Sequence, residues 1–309
     1  MKKTLLILVL FAILLCSGCS MLPANAQTEE NIETIVAQTL ESYWLTASVT
    51  PTPTLTPEYT LTPTITPSPE PTATPTLTPT PAWVFNPAGS AVVPILLYHH
   101  IAEREYPNRY YIPPQTFEEQ MGWLAAHGYT TIPIELLVEA LTQGADLPPR
   151  PVIITFDDGD ADVYQNAFPI MQKYGYTGVF YLIGNRINGQ DVVTTEMVLE
   201  MIASGWEIGS HSMTHVDLSA NHDVLDREIT ESREYLQGEF QTKVLTFAYP
   251  YGTIDPEVAN KTARSGYGAA VGLGTFYTHS LNTLYYLSRI EIRSDYDLDE
   301  FSALLPWKE

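Results

Sequence analysis

The spacing of hydrophobic residues changes several times along the chain, and each change marks a different kind of element. From about residue 93 to residue 292, short apolar runs such as Val152-Ile153-Ile154 alternate with longer segments in which apolar residues recur every three or four positions. The runs are typical of buried strands, and the longer segments are typical of amphipathic helices. About seven such repeats predict a parallel sheet closed into a barrel, an α/β fold with its functional residues at one rim.

The first residues have the pattern of an export signal. Lys2 and Lys3 precede an apolar run over residues 5–15, which is too short to span a bilayer comfortably. The following Leu15-Cys16-Ser17-Gly18-Cys19 resembles a lipobox, so we expect a lipoprotein-type signal peptide over residues 1–19 and a lipid on Cys19. A competing cleavage site, Ala24-Asn25-Ala26, would release a soluble protein. The prediction is an exported protein, lipid-anchored at the outer face of the cell membrane or otherwise secreted.

Two further segments are predicted between this signal and the barrel. Residues 20–47 include one run, residues 28–47, whose apolar spacing suits a short amphipathic helix. Residues 48–82 form a tract rich in Thr and Pro that cannot bury a core and favours an extended linker, with a reach on the order of 100 Å. The folded domain is placed at residues 90–309. It contains no cysteine, so no disulfide can stabilise it.

Two polar motifs follow predicted strands, where a barrel places its chemistry. Thr155-Phe156-Asp157-Asp158-Gly159 comes directly after the apolar run at 152–154, and His211-Ser212-Met213-Thr214-His215 follows Trp206-Glu207-Ile208-Gly209. One carboxylate and two imidazoles are a suitable ligand set for a hydrolytic divalent metal, zinc above all, and the other carboxylate is then free to act as a base. Taken singly, the first motif is also typical of a capped turn and the second of a surface histidine pair. Their joint occurrence at one rim favours the metal site.

A third motif, Phe247-Ala248-Tyr249-Pro250-Tyr251-Gly252, completes a pattern that resembles the polysaccharide deacetylases (carbohydrate esterase family 4, with NodB homology), and within them the poly-N-acetylglucosamine deacetylase-like branch. The resemblance extends from about Pro94 to the C-terminus, with the three motifs in the family's order. It implies a distorted (β/α)7-type barrel and metal-dependent hydrolytic N-deacetylation of a polysaccharide that contains N-acetylglucosamine, either an exopolysaccharide or a cell-wall glycan. Residues 90–309 are then the catalytic domain.

The resemblance also implies a role for each site residue. Asp158, His211 and His215 are expected to hold the metal, Zn²⁺ in the first place with Co²⁺ or Ni²⁺ as alternatives, which activates a water molecule. Asp157 is expected to take the proton of that water, and the backbone amide of Tyr251 to share the charge of the resulting oxyanion. For Tyr251, an ordinary Pro-Tyr-Gly turn is the alternative.

The general acid has to come from an unusual place in the chain. Most relatives supply a histidine from a Leu-x-His motif near the C-terminus, where this chain has Leu287-Ser288-Arg289. Leu97-Tyr98-His99, at the end of the first predicted strand, fits the same pattern and resembles the branch with a permuted motif order, so His99 is the expected acid. Its neighbour His100 is the rival, because alternation along a strand points the two rings in opposite directions.

One further position departs from the family pattern. The arginine that usually stands two residues before the motif proline is Ala248 here; Arg289 is a candidate replacement, and a plain surface salt bridge is its alternative role. The missing arginine and the relocated acid motivate a second hypothesis, a wall-anchored glycan-binding module with the same fold and weak or no catalysis. Peptidoglycan and O-acetylated xylan are alternative substrates.

Charge and aromatic content narrow the range of partners. The chain has a formal net charge of −21, and residues 90–309 carry 30 acidic against 13 basic side chains, so no nucleic acid is expected as a partner. We expect a monomer that binds an N-acetylated glycan and meets the membrane only through its lipid anchor. Outside the motifs, His127 is expected to cap a helix, and His222 and His279 to be solvated. Five aromatic residues are candidates either for stacking on sugar rings or for the core: Tyr110, Tyr111, Trp206, Tyr251 and Phe276.

Overall fold

The computed structural model describes residues 82–307. The predicted signal peptide at 1–19, the segment at 20–47 and the predicted linker up to residue 81 lie outside the described residues. Across 82–307, no helix combines the length and the apolar character that crossing a bilayer requires.

Within residues 82–307 the chain forms fourteen strands and seven α-helices. The strands are β1 Val84–Asn86, β2 Ser90–Val92, β3 Ile95–Tyr98, β4 His100–Ile101, β5 Tyr111–Ile112, β6 Thr130–Thr131, β7 Ala145–Leu147, β8 Pro151–Phe156, β9 Val179–Leu182, β10 Glu207–Ser210, β11 Thr246–Ala248, β12 Ala269–Leu273, β13 Thr278–Ser280 and β14 Leu287–Glu291. The helices are α1 Pro114–Ala126, α2 Ile134–Thr142, α3 Phe168–Lys173, α4 Thr195–Ala203, α5 Ser232–Phe240, α6 Pro256–Arg264 and α7 Leu298–Ala303. Two π-helical segments, Val163–Ala167 and Asp226–Glu231, lead directly into α3 and α5. Short 3-10 segments lie at Gly184–Arg186, His222–Val224, Pro250–Gly252 and Leu281–Thr283.

Seven of the described strands form a closed barrel. They are hydrogen-bonded side by side in the order β3-β14-β12-β11-β10-β9-β8, and β8 pairs again with β3. Every pairing in this ring is parallel. The closing pair aligns Ile95 with Ile153 and Tyr98 with Phe156, and β6 adds to the amino end of β8. The predicted (β/α)7-type barrel is confirmed.

Side chains on each barrel strand alternate between two cores. Leu96 and Tyr98 of β3 belong to the core shared with the helices, where the ring of Tyr98 meets Phe117 of α1 at 5.1 Å between centroids. Ile95 belongs to a second core, which it shares with Ile153 of β8. The same alternation assigns positions 97 and 99 to the face of Ile95, and positions 155 and 157 to the face of Ile153. Side chains at the carboxyl ends of the strands can therefore point toward the barrel axis.

Short strands outside the ring explain one wrong prediction. The pairs β1 with β7, β2 with β13 and β4 with β5 each involve only two or three residues per strand, too few to give a recognisable alternation. His279 lies on β13 and is buried, not solvated, and its Nε2 donates a hydrogen bond of 2.9 Å to the carbonyl of Val93. Burial lowers the pKa of His279 to about 4.

The other two histidines outside the motifs behave as predicted. His127 ends α1, where its Nδ1 donates a hydrogen bond of 2.7 Å to the carbonyl of Trp123. His222 stays exposed at the surface and pairs there with Asp255 at 2.6 Å.

Candidate active site

The carboxyl ends of the barrel strands open into a cavity of about 440 Å³. Residues that end or follow β3, β8, β10, β11 and β14 line this cavity. All six residues that the sequence named for catalysis or metal binding are among them: His99, Asp157, Asp158, His211, His215 and Tyr251. Parallel strands in a barrel bring motifs that are far apart in the chain to one rim.

Asp158, His211 and His215 face one another in the cavity. Oδ1 of Asp158 lies 3.6 Å from Nε2 of His211 and 3.5 Å from Nε2 of His215, and one donor atom from each residue lies within 4.8 Å of the others. This oxygen is buried, and none of the described residues donates a hydrogen bond to it. A buried carboxylate oxygen without a donor is costly. The three side chains therefore fit a divalent cation, which two imidazoles and a carboxylate can hold with positions left open.

Local backbone geometry prepares these three side chains. Asp158 and His215 have φ angles of 76° and 61°, in the left-handed region that residues other than glycine rarely adopt. Nδ1 of His211 donates to the carbonyl of Ala248 at 2.8 Å, which leaves the lone pair of Nε2 for a ligand. Burial and the neighbouring His211 lower the pKa of His215 to about 4, so its ring is neutral at pH 7.

Asp157 lies beside this triad and is held by Arg289. Two hydrogen bonds of 2.7 Å join the guanidinium to the two carboxylate oxygens, and Nη1 also lies 3.3 Å from Oγ1 of Thr155. Burial alone would raise the pKa of Asp157, but the charge and hydrogen bonds of Arg289, together with the neighbouring His211 and His99, outweigh burial and lower the pKa to about 2. Of the two roles considered for Arg289, the structure shows the buried pair with Asp157 and not a surface salt bridge. Asp157 is thus ionised and fixed in orientation.

His99 and His100 both line the cavity, but their rings have different partners. The ring of His99 lies in the cavity against Tyr110, and its Nδ1 is buried without a hydrogen-bond partner among residues 82–307. Burial lowers the pKa of His99, although the carboxylates of Asp157 and Asp158 raise it. Nδ1 of His100 is instead 2.8 Å from Oδ2 of Asp162. This hydrogen bond raises the pKa of His100 despite its partial burial, and it occupies the ring in a contact between loops.

Tyr251 occupies a turn that its neighbours enforce. Pro250 precedes it, its own φ is 60°, and Gly252 follows with a φ of 69°. A Cβ at position 252 would lie 2.5 Å from the side chain of Leu273, so glycine is required there by space as well as by φ. The hydroxyl of Tyr251 donates to the carbonyl of His215 at 3.2 Å. The turn is therefore tied directly to the histidine pair.

The aromatic candidates for sugar stacking fall into separate groups. Tyr110, Tyr111 and Tyr251 line the cavity, and Tyr251 is 61% exposed. Trp206 is buried and packs on Phe156 with ring centroids 5.5 Å apart, so it belongs to the core. Phe276 is exposed but is not part of the cavity wall.

Sequence reasoning missed a polar network beside the site. Asp162 holds His100 and also accepts from the backbone N–H of Ile101 at 3.2 Å, while Asp160 pairs with Arg186 at 2.8 Å. These contacts fasten the loop after β8 to β4 on one side and to the 3-10 segment after β9 on the other. The signal for them was four acids within residues 157–162. Only Asp157 and Asp158 were given roles, because the motif at residues 155–159 contains no other acid.

Similarity to known proteins agrees with this geometry. Residues 144–270 match the family described as polysaccharide deacetylase. YxkH of Bacillus subtilis, whose name assigns it to the polysaccharide deacetylases, is 29% identical over 225 residues, 72% of this chain and 79% of that protein. Over this region the chain is similar to the polysaccharide deacetylases. These relatives support a hydrolase that acts on amide bonds.

Other polysaccharide deacetylases are similar over the same domain. The poly-beta-1,6-N-acetyl-D-glucosamine N-deacetylase of Staphylococcus aureus is 26% identical over 214 residues, 64% of this chain and 73% of that protein. A solved polysaccharide deacetylase from Bacillus cereus superposes with a TM-score of 0.63 at 26% identity, over 70% of this chain and 69% of its own. Streptococcus pyogenes deacetylase PplD, in complex with acetate, gives 0.63 at 25% identity, over 69% and 97%.

The stretch matched to the family includes only part of the cavity. It contains the two acids, the two histidines and Tyr251, but it leaves out His99 and Arg289. These two residues come from β3 and β14, which pair with each other in the ring. Closure of the barrel therefore adds both ends of the domain to the polysaccharide deacetylase site.

Proposed function

We propose that this protein hydrolyses the N-acetyl groups of a polysaccharide that contains N-acetylglucosamine, and that it needs a divalent metal to do so, zinc in the first place. The observation that carries the proposal is the buried Oδ1 of Asp158, which has no donor among the described residues and faces Nε2 of both His211 and His215. The named substrate of the Staphylococcus aureus relative supports the choice of glycan.

The division of labour between the two acids follows from their surroundings. A divalent cation held by Asp158, His211 and His215 supplies a Lewis acid for water and for the acetamide carbonyl. Asp157 carries a negative charge at neutral pH, and Arg289 fixes both of its oxygens. It is therefore available to accept a proton from the attacking water. Arg289 stabilises the ionised form of this base and keeps it from rotating.

The amine leaves only with a proton, which His99 can deliver. Its ring lies in the cavity, and no group among residues 82–307 forms a hydrogen bond with its buried Nδ1. Because burial favours the neutral ring, His99 has to take up a proton during the cycle. The proton that Asp157 accepts from water can then end on the amine, with acetate as the second product. The backbone N–H of Tyr251 is the proposed donor to the oxyanion.

The non-catalytic alternative was motivated by an absent arginine and a relocated acid. Arg289 pairs with Asp157 and His99 lines the cavity, and both observations support catalysis over glycan binding alone.

We further propose the setting in which the reaction occurs. A lipid on Cys19 and the Thr- and Pro-rich linker at 48–82 would hold the catalytic domain at 90–309 outside the cell membrane, within reach of wall or matrix polysaccharide. The domain would act there as a monomer.

Acetate release tests the proposed function directly. Purified protein without its signal peptide is expected to release acetate from β-1,6-linked N-acetylglucosamine oligomers, to lose the activity with a chelator and to regain it with Zn²⁺. Asp157→Asn is expected to lower turnover by about 10²-fold or more while metal stays bound. Peptidoglycan fragments and acetylated xylan complete the substrate panel. If zinc, cobalt and nickel all fail to support release from any glycan, the proposal is wrong; if Asp157→Asn also loses the metal, the two acids have exchanged roles.

A further inference from the structure

The loop that carries the histidine pair is held in a costly conformation. Ser212 and His215 have φ angles of 67° and 61°, in the left-handed region that is unfavourable for residues other than glycine. Such a loop persists only if surrounding contacts over-determine it. One contact is local, since Ser212 Oγ accepts from the N–H of His215 at 2.8 Å. Another comes from the neighbouring strand β9, where the carbonyl of Leu182 accepts from the N–H of His211 at 2.9 Å.

A buried carboxylate on the helix behind the loop supplies further contacts. Oε2 of Glu228 accepts from the backbone N–H of Thr214 at 2.7 Å, and Oε1 accepts from the Thr214 hydroxyl, also at 2.7 Å. Thr214 directly precedes His215. Both oxygens of Glu228 are thus used on one residue, next to a proposed metal ligand.

This carboxylate is expensive for the fold to keep. Glu228 is 1% exposed, and the nearest cation, Nε of Arg227, is 4.0 Å away. An apolar side chain would fill a buried position without the desolvation cost of a carboxylate. Packing alone therefore does not account for glutamate at position 228, whereas a requirement to hold Thr214 does.

The segment that carries Glu228 also contacts the other end of the loop. Glu228 lies in the π-helical segment Asp226–Glu231, and its carbonyl accepts from Oγ of Ser232 at 2.7 Å. That hydroxyl lies 2.9 Å from Oγ of Ser210, the residue directly before His211. The segment thus touches the chain immediately before each histidine. Single π-helical turns within helices are frequent at functional sites.

We propose that Glu228 is a positioning residue for the metal site: through Thr214 it fixes the orientation of His215 toward Asp158 and His211. This inference rests on the proposed function, because it takes His215 to be a metal ligand. Glu228 is not among the residues that line the cavity, and its carboxylate is hydrogen-bonded to Thr214, so we expect its effect to pass through the loop.

Zinc affinity is the measurement that separates positioning from simple structural support. Glu228→Ala should weaken zinc binding, measured by competition with a chromogenic chelator, by about 10- to 100-fold, as loss of partners outside the ligand shell typically does. Glu228→Gln and Thr214→Val, which each keep part of the contact, should fall between this variant and the wild type, and Thr214→Ser should be near the wild type. Activity of Glu228→Ala should rise with added zinc toward saturation. Glu231→Gln is the matched control, since Glu231 is an exposed acid on the same π-helical segment.

The outcomes are distinguishable from failure of the proposed function. Wild-type zinc affinity tests the metal site itself, without any need for turnover. If the wild type binds zinc and the unfolding midpoints of the zinc-free Glu228 and Thr214 variants fall while their zinc affinity stays within about twofold of the wild type, Glu228 is structural only and the inference is overturned. Should Glu228→Ala fail to fold, Glu228→Gln and Thr214→Val decide the question by the same comparison.

Discussion

Arg289→Met is expected to be the most destabilising single change in the cavity. The substitution removes both 2.7 Å hydrogen bonds to Asp157 and leaves that carboxylate buried without a counter-charge. The fall of the Asp157 pKa from 3.8 to about 2 corresponds to roughly 2 kcal/mol of net stabilisation of the carboxylate, to which Arg289 contributes most and His211 and His99 also contribute. The full cost is larger, because Arg289 also offsets burial; breaking a buried pair from one side typically costs about 3 to 5 kcal/mol. We expect a loss of that size from the free energy of unfolding at pH 7.

A double-mutant cycle in urea tests this reasoning. Asp157→Asn is combined with Arg289→Met, and zinc-free protein is used so that metal binding does not contribute to stability. Because the double variant no longer contains a lone buried charge, it should lose less than the sum of the two single variants. Arg109→Met is the control, since Arg109 pairs with Glu291 at 3.3 Å on a side chain that is 49% exposed, and it should cost about 0 to 1 kcal/mol. A cost below about 1 kcal/mol for Arg289→Met, or strict additivity in the cycle, would refute the buried pair as a stabilising unit.

Three further predictions follow from single contacts. His99→Gln should lower kcat for acetate release by about 10²- to 10⁴-fold, and His100→Gln by much less; equal losses would contradict the choice of acid. The pKa of His279 in the folded protein is about 4, below its ordinary 6.5. The stability that His279 contributes is therefore complete above pH 6.5 and falls by about 3 kcal/mol as the pH drops to 4. In His279→Gln, the unfolding midpoint should depend less on pH between 6.5 and 4. Gly252→Ala should cost about 1 to 3 kcal/mol in thermal unfolding and reduce activity, whereas Gly128→Ala, with a similar φ but open space around it, should cost less and leave activity unchanged.

Parts of the fold that depend on a repeating pattern could be predicted from the sequence. The apolar run at 152–154 predicted a buried strand, and in the structure all six residues of β8 are buried. Seven such strands alternating with helices were enough to predict the barrel. The three-residue strand β13 gave no such pattern, so the solvation of His279 was predicted from its polar neighbours and was wrong.

Within the site, the sequence predicted the residues that a motif or the alternation along a strand specifies. Alternation along the first predicted strand indicated that only one of His99 and His100 is functional, and the structure shows that His100 is hydrogen-bonded to Asp162. Glu228 had no such signal. It lies in a stretch with helical spacing, where an acid normally faces solvent, and the π-helical turn changes the phase so that Glu228 and Ile229 are both buried.

Arg289 shows why a motif position is a weaker guide than the face of the strand. The family pattern places an arginine where this chain has Ala248 on β11, and this chain supplies the guanidinium from β14 instead. In a closed barrel, inward-pointing side chains of different strands converge near the axis, so a long side chain from another strand can reach the same carboxylate. The separation of 132 positions between Asp157 and Arg289 hides this in the sequence. Position 289 lies on the same face of β14 as Leu287, which belongs to the inner core with Ile95 and Ile153, and this face directs the guanidinium inward to Asp157.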